Sequence, residues 1–178
     1  FTDIRWHQTA DVGYVPNGLL SNVFMASALD LADPMSPHYP VHYRDKGTVG
    51  QRISLAGLTV AYNQPGLVYQ GPWPSTALID PTKMTLRLIY DGGRLPITVR
   101  NKEGFEVCCS HNHTACPMDS DTFTAVNISQ SDSISVTLTL APCAGRYLLG
   151  MRYIWRESPC PYKQCAVYSV QNELPAPP

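Results

Sequence analysis

Residues 23–29 (VFMASAL) form a near-continuous apolar run, and they constrain the fold of this chain more than any other stretch. A strand apolar on both faces belongs in a parallel sheet covered by helices on either side. Asp30 ends the run, a Pro-rich loop follows and presents His42, and Asp45 then opens a helix. In that helix Val49, Ile53, Ala56 and Val60 recur at intervals of four, three and four, giving one apolar face through about Tyr62. Strand, irregular loop with a histidine, then helix is the layout by which an open α/β sheet displays a reactive group beyond the carboxyl end of a strand. It is the only such strand in the chain. One strand makes no parallel sheet, and alone it would leave its edges and faces uncovered. The neighbouring strands are therefore expected on another polypeptide.

Before the run, Thr2 or Asp3 is read as the cap of a short helix through about Ala10, ended by GYVPNG (13–18). After NQPG (63–66) the period changes from helical to alternating. Met84, Leu86, Leu88 and Tyr90 alternate with Thr85, Arg87 and Ile89. Ile97 and Val99 follow an Asp91-Gly92-Gly93 turn, and Ile134, Val136, Leu138 and Leu140 alternate with Ser and Thr. These are half-buried antiparallel strands. Residues 147–155 add another, and the Pro-rich tail 174–178 is read as unable to continue a ladder. The predicted architecture is α/β plus all-β. Residues 1–65 are the C-terminal segment of an α/β sheet domain, and residues 66–178 are a disulfide-bonded, β-sandwich-like module.

A chain of 178 residues, 44% of them hydrophobic, can bury a core. Lys and Arg number 13 against 14 acids, a net charge of −1, and no basic stripe with interleaved aromatics is present, so nucleic acid is excluded as a partner. No run reaches the roughly 18 apolar residues of a membrane span, and FTDIRWHQ (1–8) lacks the basic-then-apolar order of a signal peptide. Six cysteines (Cys108, Cys109, Cys116, Cys143, Cys160, Cys165) nevertheless make an even set confined to the second half. Asn112 and Asn127 head N-glycosylation sequons. Together they indicate the secretory route, lysosomal or secreted. A secretory chain lacking a signal peptide is expected to derive from a cleaved precursor, with Phe1 at a processing point.

Cys108, Cys109, His111, His113 and Cys116 crowd together in a pattern that suggests zinc. The sequon at Asn112 lies inside the cluster and the compartment favours disulfides, so neither a metal nor a cofactor is expected. Adjacent Cys108 and Cys109 point to opposite faces of a strand, and each is expected to bond a distant partner. Fifteen pairings are possible, with Cys160–Cys165 the preferred bridge. All three bridges are expected within this chain.

RWHQTADVGYVPN (5–17), LDLAD (29–33), VHYRDK (41–46), RYIWRESPCPYKQCAVYS (152–169) and LPAPP (174–178) resemble, in order and across nearly the whole chain, the C-terminal part of the sialate O-acetylesterase family. The resemblance implies an SGNH-type ester hydrolase that removes O-acetyl groups from sialic acids with a serine nucleophile and a histidine base. The family's histidine falls on His42. Its serine, in an SGQSN-like word upstream, has no counterpart here, and no G-x-S-x-G elbow occurs. The implied partner is thus an N-terminal chain of the same precursor carrying the serine, and the implied substrate is an O-acetylated sialic acid or sialoglycoconjugate.

Ester hydrolysis also requires a group that orients the base. The family type places an Asp three residues before the His, and that position is Tyr39. Asp30 and Asp33 are the candidates for accepting the second N–H of His42, with a loop cap or salt bridge as their other reading. His38 and His7 are rival bases, His7 being read as structural. Trp73 and Trp155 are candidates for stacking on sugar, although aromatics at alternating positions also serve as core. The reading from a different class is a non-catalytic carbohydrate-binding or cell-surface β-module.

Overall fold

Leu86, Leu88 and Tyr90 are buried while Arg87 between them faces solvent, the two-residue alternation of a half-buried strand. β7 follows nearly the same rule, with Val136 and Leu138 buried and Thr137 and Thr139 half-buried. The structure of the protein, a computed structural model, describes residues 2–40, 42–112, 116–117 and 121–178. Phe1, His113 and Thr114, on which the processing point, part of the Cys/His cluster and one sequon rest, lie outside the described residues.

Among the described residues nine strands follow one another: β1 (Pro74–Asp80), β2 (Thr85–Tyr90), β3 (Ile97–Val99), β4 (Phe105–Ser110), β5 (Phe123–Val126), β6 (Ile128–Ser131), β7 (Ser135–Thr139), β8 (Tyr147–Tyr153) and β9 (Val167–Ser169). They make a four-stranded sheet in the order β1-β2-β7-β6, a three-stranded sheet β5-β4-β8 and the pair β3-β9. Every pairing is antiparallel. The sheets share one core in which Leu88 and Val136 meet Phe105, Val107, Val167 and Tyr168. The Phe105 and Tyr153 rings lie 4.5 Å apart.

The tail departs from its reading. Leu174 and Ala176 are buried, and the Ala176 amide donates to the Val167 carbonyl at 2.9 Å, so residues 174–176 form a bridge on β9. Alternation of Pro with Leu and Ala leaves donors where the bridge needs them. Gly71 admits the tail: a Cβ there would stand 1.8 Å from the Pro175 carbonyl oxygen.

Among the described residues two α-helices precede the sheets, α1 (Thr2–His7) and α2 (Lys46–Val60). Asp45 caps α2 by accepting from the Thr48 amide at 3.0 Å. Only Arg52 and Ala56, one turn apart, are buried on α2, whereas Ile53 is exposed. The strand expected over residues 23–29 is absent. Residues 23–28 have no regular secondary structure, and Leu29–Leu31 form a 3-10 turn. A strand exists only through its ladder, and no neighbouring strand lies beside this run among the described residues. The α/β sheet expected for residues 1–65 is accordingly not formed within this chain.

Three disulfides join Cys108 to Cys116, Cys109 to Cys143 and Cys160 to Cys165. The preferred short bridge is present. Cys109 bonds Cys143, 34 residues on, as expected, but Cys108 bonds Cys116, only eight residues on, in the connection between β4 and β5. With its thiols bonded, this cluster offers no thiolate to zinc. Alkylation of the folded protein before reduction is expected to label none of the six. Replacing Cys109 and Cys143 together by Ala frees a loop of 34 residues. The expected cost is roughly 3–4 kcal/mol of stability, measured by denaturant titration.

Candidate functional site

His42 sits near the end of an irregular loop whose two ends are held together by an ion pair. Asp33 accepts from Arg44 Nε at 2.6 Å and from Nη2 at 2.9 Å. A bidentate guanidinium–carboxylate contact of this kind fixes geometry as well as charge. Inside the loop, the Asp33 amide donates to the Pro40 carbonyl at 3.2 Å. The His42 amide donates to the Tyr39 carbonyl at 3.0 Å, and Ser36 Oγ donates to the His42 carbonyl at 2.7 Å. Tyr39 carries φ of 72°. A bulky residue in the left-handed region is strained, and such strain persists only where surrounding bonds impose it.

The His42 ring itself is exposed and makes no hydrogen bond among the described residues. The His38 ring stands edge-on to it, centroids 6.5 Å apart, also exposed. His7 is remote in the fold's first helix and lies 2.5 Å from Asp11, exposed.

The two carboxylates read as orienters turn to arginines and not to His42. Asp33 belongs to Arg44, whose guanidinium holds its carboxyl below the usual carboxylate range. Asp30 is fully buried and accepts from Arg52 Nη1 at 2.7 Å, Arg52 Nη2 at 2.9 Å and the Tyr168 hydroxyl at 3.0 Å. Arg52 also donates to the Ser27 carbonyl at 2.6 Å, and the Lys163 amide donates to the Asp30 carbonyl at 2.6 Å. A buried carboxylate recruits a guanidinium because an unpaired charge in a dry interior is prohibitive. Burial and the neighbouring Asp30 push the Tyr168 hydroxyl well above its ordinary pKa. This knot ties the loop's N-terminal root to β9.

The loop's other root is held through Asp45, which accepts from Thr48 Oγ1 and from the Tyr162 hydroxyl, each at 2.6 Å. Those hydrogen bonds hold the Asp45 carboxyl well below its usual range. Lys163 Nζ lies 3.5 Å from Asp45, so the loop closed by Cys160–Cys165 grips the start of α2. Arg44, Arg52, Tyr162 and Tyr168 were not singled out by the sequence reading. For Arg52 a signal existed: it shares the helical face of Ala56, and a charged residue on a buried face needs a counter-charge.

Depressing the pKa of Asp33 in the folded state means that the staple is complete above the unfolded value of about 4 and is lost as pH falls through the lower folded value. The expected result is a His42 amide protected at neutral pH and released in acid after correction for intrinsic exchange. Arg44→Ala is expected to release it at pH 7.

A cleft of about 570 Å³ is lined by residues among the first 32, by Pro40 and Tyr43 on either side of His42, by Arg52 and by the β-module. Trp73 and Trp155 both line it, together with Trp6, Tyr14, Tyr43 and Arg5, and Tyr14 meets Trp73 edge-on at 6.2 Å. His42 is not part of its wall.

Comparison with known proteins places these residues in a wider setting. The family model for the sialate O-acetylesterase C-terminal domain matches residues 75–178. The sialate O-acetylesterase of Mus musculus is 41% identical over all of this chain, and that of Homo sapiens 37%. The chain spans about a third of the length of these curated relatives, 31% and 32% respectively. A solved carbohydrate acetylesterase from Xanthomonas citri aligns with 99% of this chain and 35% of its own, with a TM-score of 0.68 and 23% identity, a likeness of fold.

Proposed function

This chain belongs to the sialate O-acetylesterase C-terminal-domain family, and from that premise we propose that it is the His-bearing part of a two-chain carboxylic ester hydrolase removing O-acetyl groups from sialic acids. The observation that carries the proposal is the continuity of its likeness to sialate O-acetylesterases, which runs through the His42 loop as well as the β-module. In this reading the nucleophilic serine, and the parallel α/β sheet on which an SGNH-type enzyme displays it, reside in the upstream polypeptide of the same precursor. His42 takes the serine proton as the serine oxygen attacks the acetyl carbonyl and returns it to the sugar oxygen as the ester bond breaks, so that the sugar leaves as its hydroxyl and an acetyl-enzyme remains. Water, deprotonated by the same imidazole, then releases acetate.

Exposure of the His42 ring suits this division of labour, since a base that serves a residue of another polypeptide must face outward. Asp33 acts on it only through the loop, as a positioning residue. Asp30 is one step further removed, holding the loop's root. The protein matures in the secretory route, lysosomal or secreted. Asn127, exposed after β5, carries a glycan there, and an Asn127→Gln change is expected to remove one glycosidase-sensitive mass increment.

Acetate release from an O-acetylated sialic acid by the full-length polypeptide is the test. No release above buffer from protein containing both parts would sink the reading. Glycan binding without turnover would favour the carbohydrate-binding module instead, for which the aromatic cleft would be the seat.

A further inference from the structure

Residues 160–165 (CPYKQC) are closed into a loop by the Cys160–Cys165 bridge, and their backbone turns on itself where the Gln164 amide donates to the Pro161 carbonyl at 2.9 Å. The β-module also holds this hexapeptide from outside. Arg100 Nη1 donates to the Lys163 carbonyl at 3.2 Å and Asn101 Nδ2 to the Gln164 carbonyl at 3.3 Å, both from the segment that follows β3. Cys165 is buried, whereas Tyr162 is 48% exposed. The element is rooted in the core and carries a tyrosine outward.

That tyrosine meets the base of the His42 loop. The loop runs from Asp30 to Asp45, and adjacent residues of the hexapeptide reach one root each. The Lys163 amide donates to the Asp30 carbonyl at 2.6 Å, and the Tyr162 hydroxyl donates to Asp45 Oδ2 at 2.6 Å. Lys163 carries φ of 54°, in the left-handed region, where a residue other than glycine persists only if its surroundings impose it. The strained backbone thus lies where the hexapeptide divides between the two roots. Asp45 in turn divides its oxygens between two tasks. Oδ1 accepts from the Thr48 amide at 3.0 Å and caps α2, while Oδ2 accepts from the Thr48 and Tyr162 hydroxyls. Loss of the Tyr162 hydroxyl leaves the cap in place, so it frees the root of the loop without unravelling the helix.

We propose that Tyr162 is a positioning residue of the esterase reaction: by fixing Asp45, three residues after His42, against a hexapeptide anchored in the β-module, it sets where the imidazole stands relative to the serine. This rests on the reading of His42 as the general base, and it gives the β-module a part in turnover. The His42 ring makes no hydrogen bond among the described residues, so its aim is inherited from the backbone that carries it. Rate is sensitive to such aim, since a misplacement of about 1 Å costs about a hundredfold.

Tyr162→Phe in the full-length protein is expected to lower kcat on an O-acetylated sialic acid by about tenfold to a hundredfold. KM is expected to stay within about twofold of the unaltered protein and Tm within about 2 °C. A loss confined to kcat marks a misaimed base, which a merely structural hydroxyl would not produce. Asp45→Ser keeps a capping oxygen for Thr48 and removes the one that Tyr162 uses. Its kcat is expected to fall at least as far, and adding Tyr162→Phe to it is expected to cost nothing more, because both changes break one hydrogen bond. Tyr62→Phe, 75% exposed beyond the end of α2, is the control and is expected to leave kcat unchanged. Full kcat in Tyr162→Phe alongside an inactive His42→Ala would overturn the positioning role and leave the base where it stands. A loss carried by KM, a fall in Tm of about 5 °C or more, or losses that multiply in the double variant would overturn it as well. An active His42→Ala variant would remove the base, and the role of Tyr162 with it, so the two failures are told apart by which variant retains turnover.

Discussion

Replacing His42 by alanine in the full-length protein is expected to lower kcat on an O-acetylated sialic acid by three orders of magnitude or more, with yield and Tm unchanged. The size follows from the loss of a general base whose removal disables the nucleophile as well, which typically costs roughly 10³–10⁶ in rate. The absence of a stability effect follows from the structure. The ring is exposed and makes no hydrogen bond among the described residues, and the loop is held by the backbone of His42 and by other side chains. His38→Ala is the control, since its ring occupies the same loop 6.5 Å away. Retention of a tenth of the activity in the His42 variant, or a loss confined to the His38 variant, would move the base elsewhere.

The second large effect concerns stability. Asp30→Ala would leave the Arg52 guanidinium buried without its carboxylate and the Tyr168 hydroxyl without its acceptor. Breaking one side of a buried pair costs roughly 3–5 kcal/mol, which for a protein of this size corresponds to a fall in Tm of about 10 °C and for one three times as long to a fall of about 3–4 °C. Thermal melting of the full-length variant is the measurement. The double change Asp30→Leu with Arg52→Met removes both charges together and is expected to recover most of the loss, as apolar replacements of buried pairs generally do. A single-site loss below 1 kcal/mol would mean that water enters the pair.

The strands that were legible are those with one wet and one dry face, so that Leu86, Leu88 and Tyr90 alone announce β2, whereas β1 is exposed along nearly its whole length and β4 is buried at four successive residues, and neither alternates. The helix α2 was legible from its Asp45 cap and its spacing. What failed was the run 23–29. Its apolar character was read correctly, but whether it is a strand depends on partners that periodicity does not encode, and within this chain it has none. The site was legible only at its tip. His42 stood out by residue type and by resemblance. The arginines that claim Asp30 and Asp33 lie 22 and 11 residues away from them, and pairing over such distances follows from how the chain folds back, which spacing does not reveal. Asp30 and Asp33 were singled out as carboxylates near a histidine. Their other reading, a salt bridge, is the one the contacts follow.

The cysteine pairing sets an order on events at synthesis. Cys108, Cys109 and Cys116 leave the ribosome well before Cys143, and Cys116 stands almost equally far in sequence from both of the adjacent thiols. Nothing in loop entropy tells them apart, because closing eight residues or seven costs nearly the same. The discrimination must come from the course of β4, whose register against β8 shifts between Cys108 and Cys109 and so aims the two side chains differently. Pairing of β4 with β8 therefore has to be in place before oxidation can choose correctly. A nascent chain oxidised ahead of that pairing would trap Cys108 for Cys143, and an isomerase would have to undo the exchange.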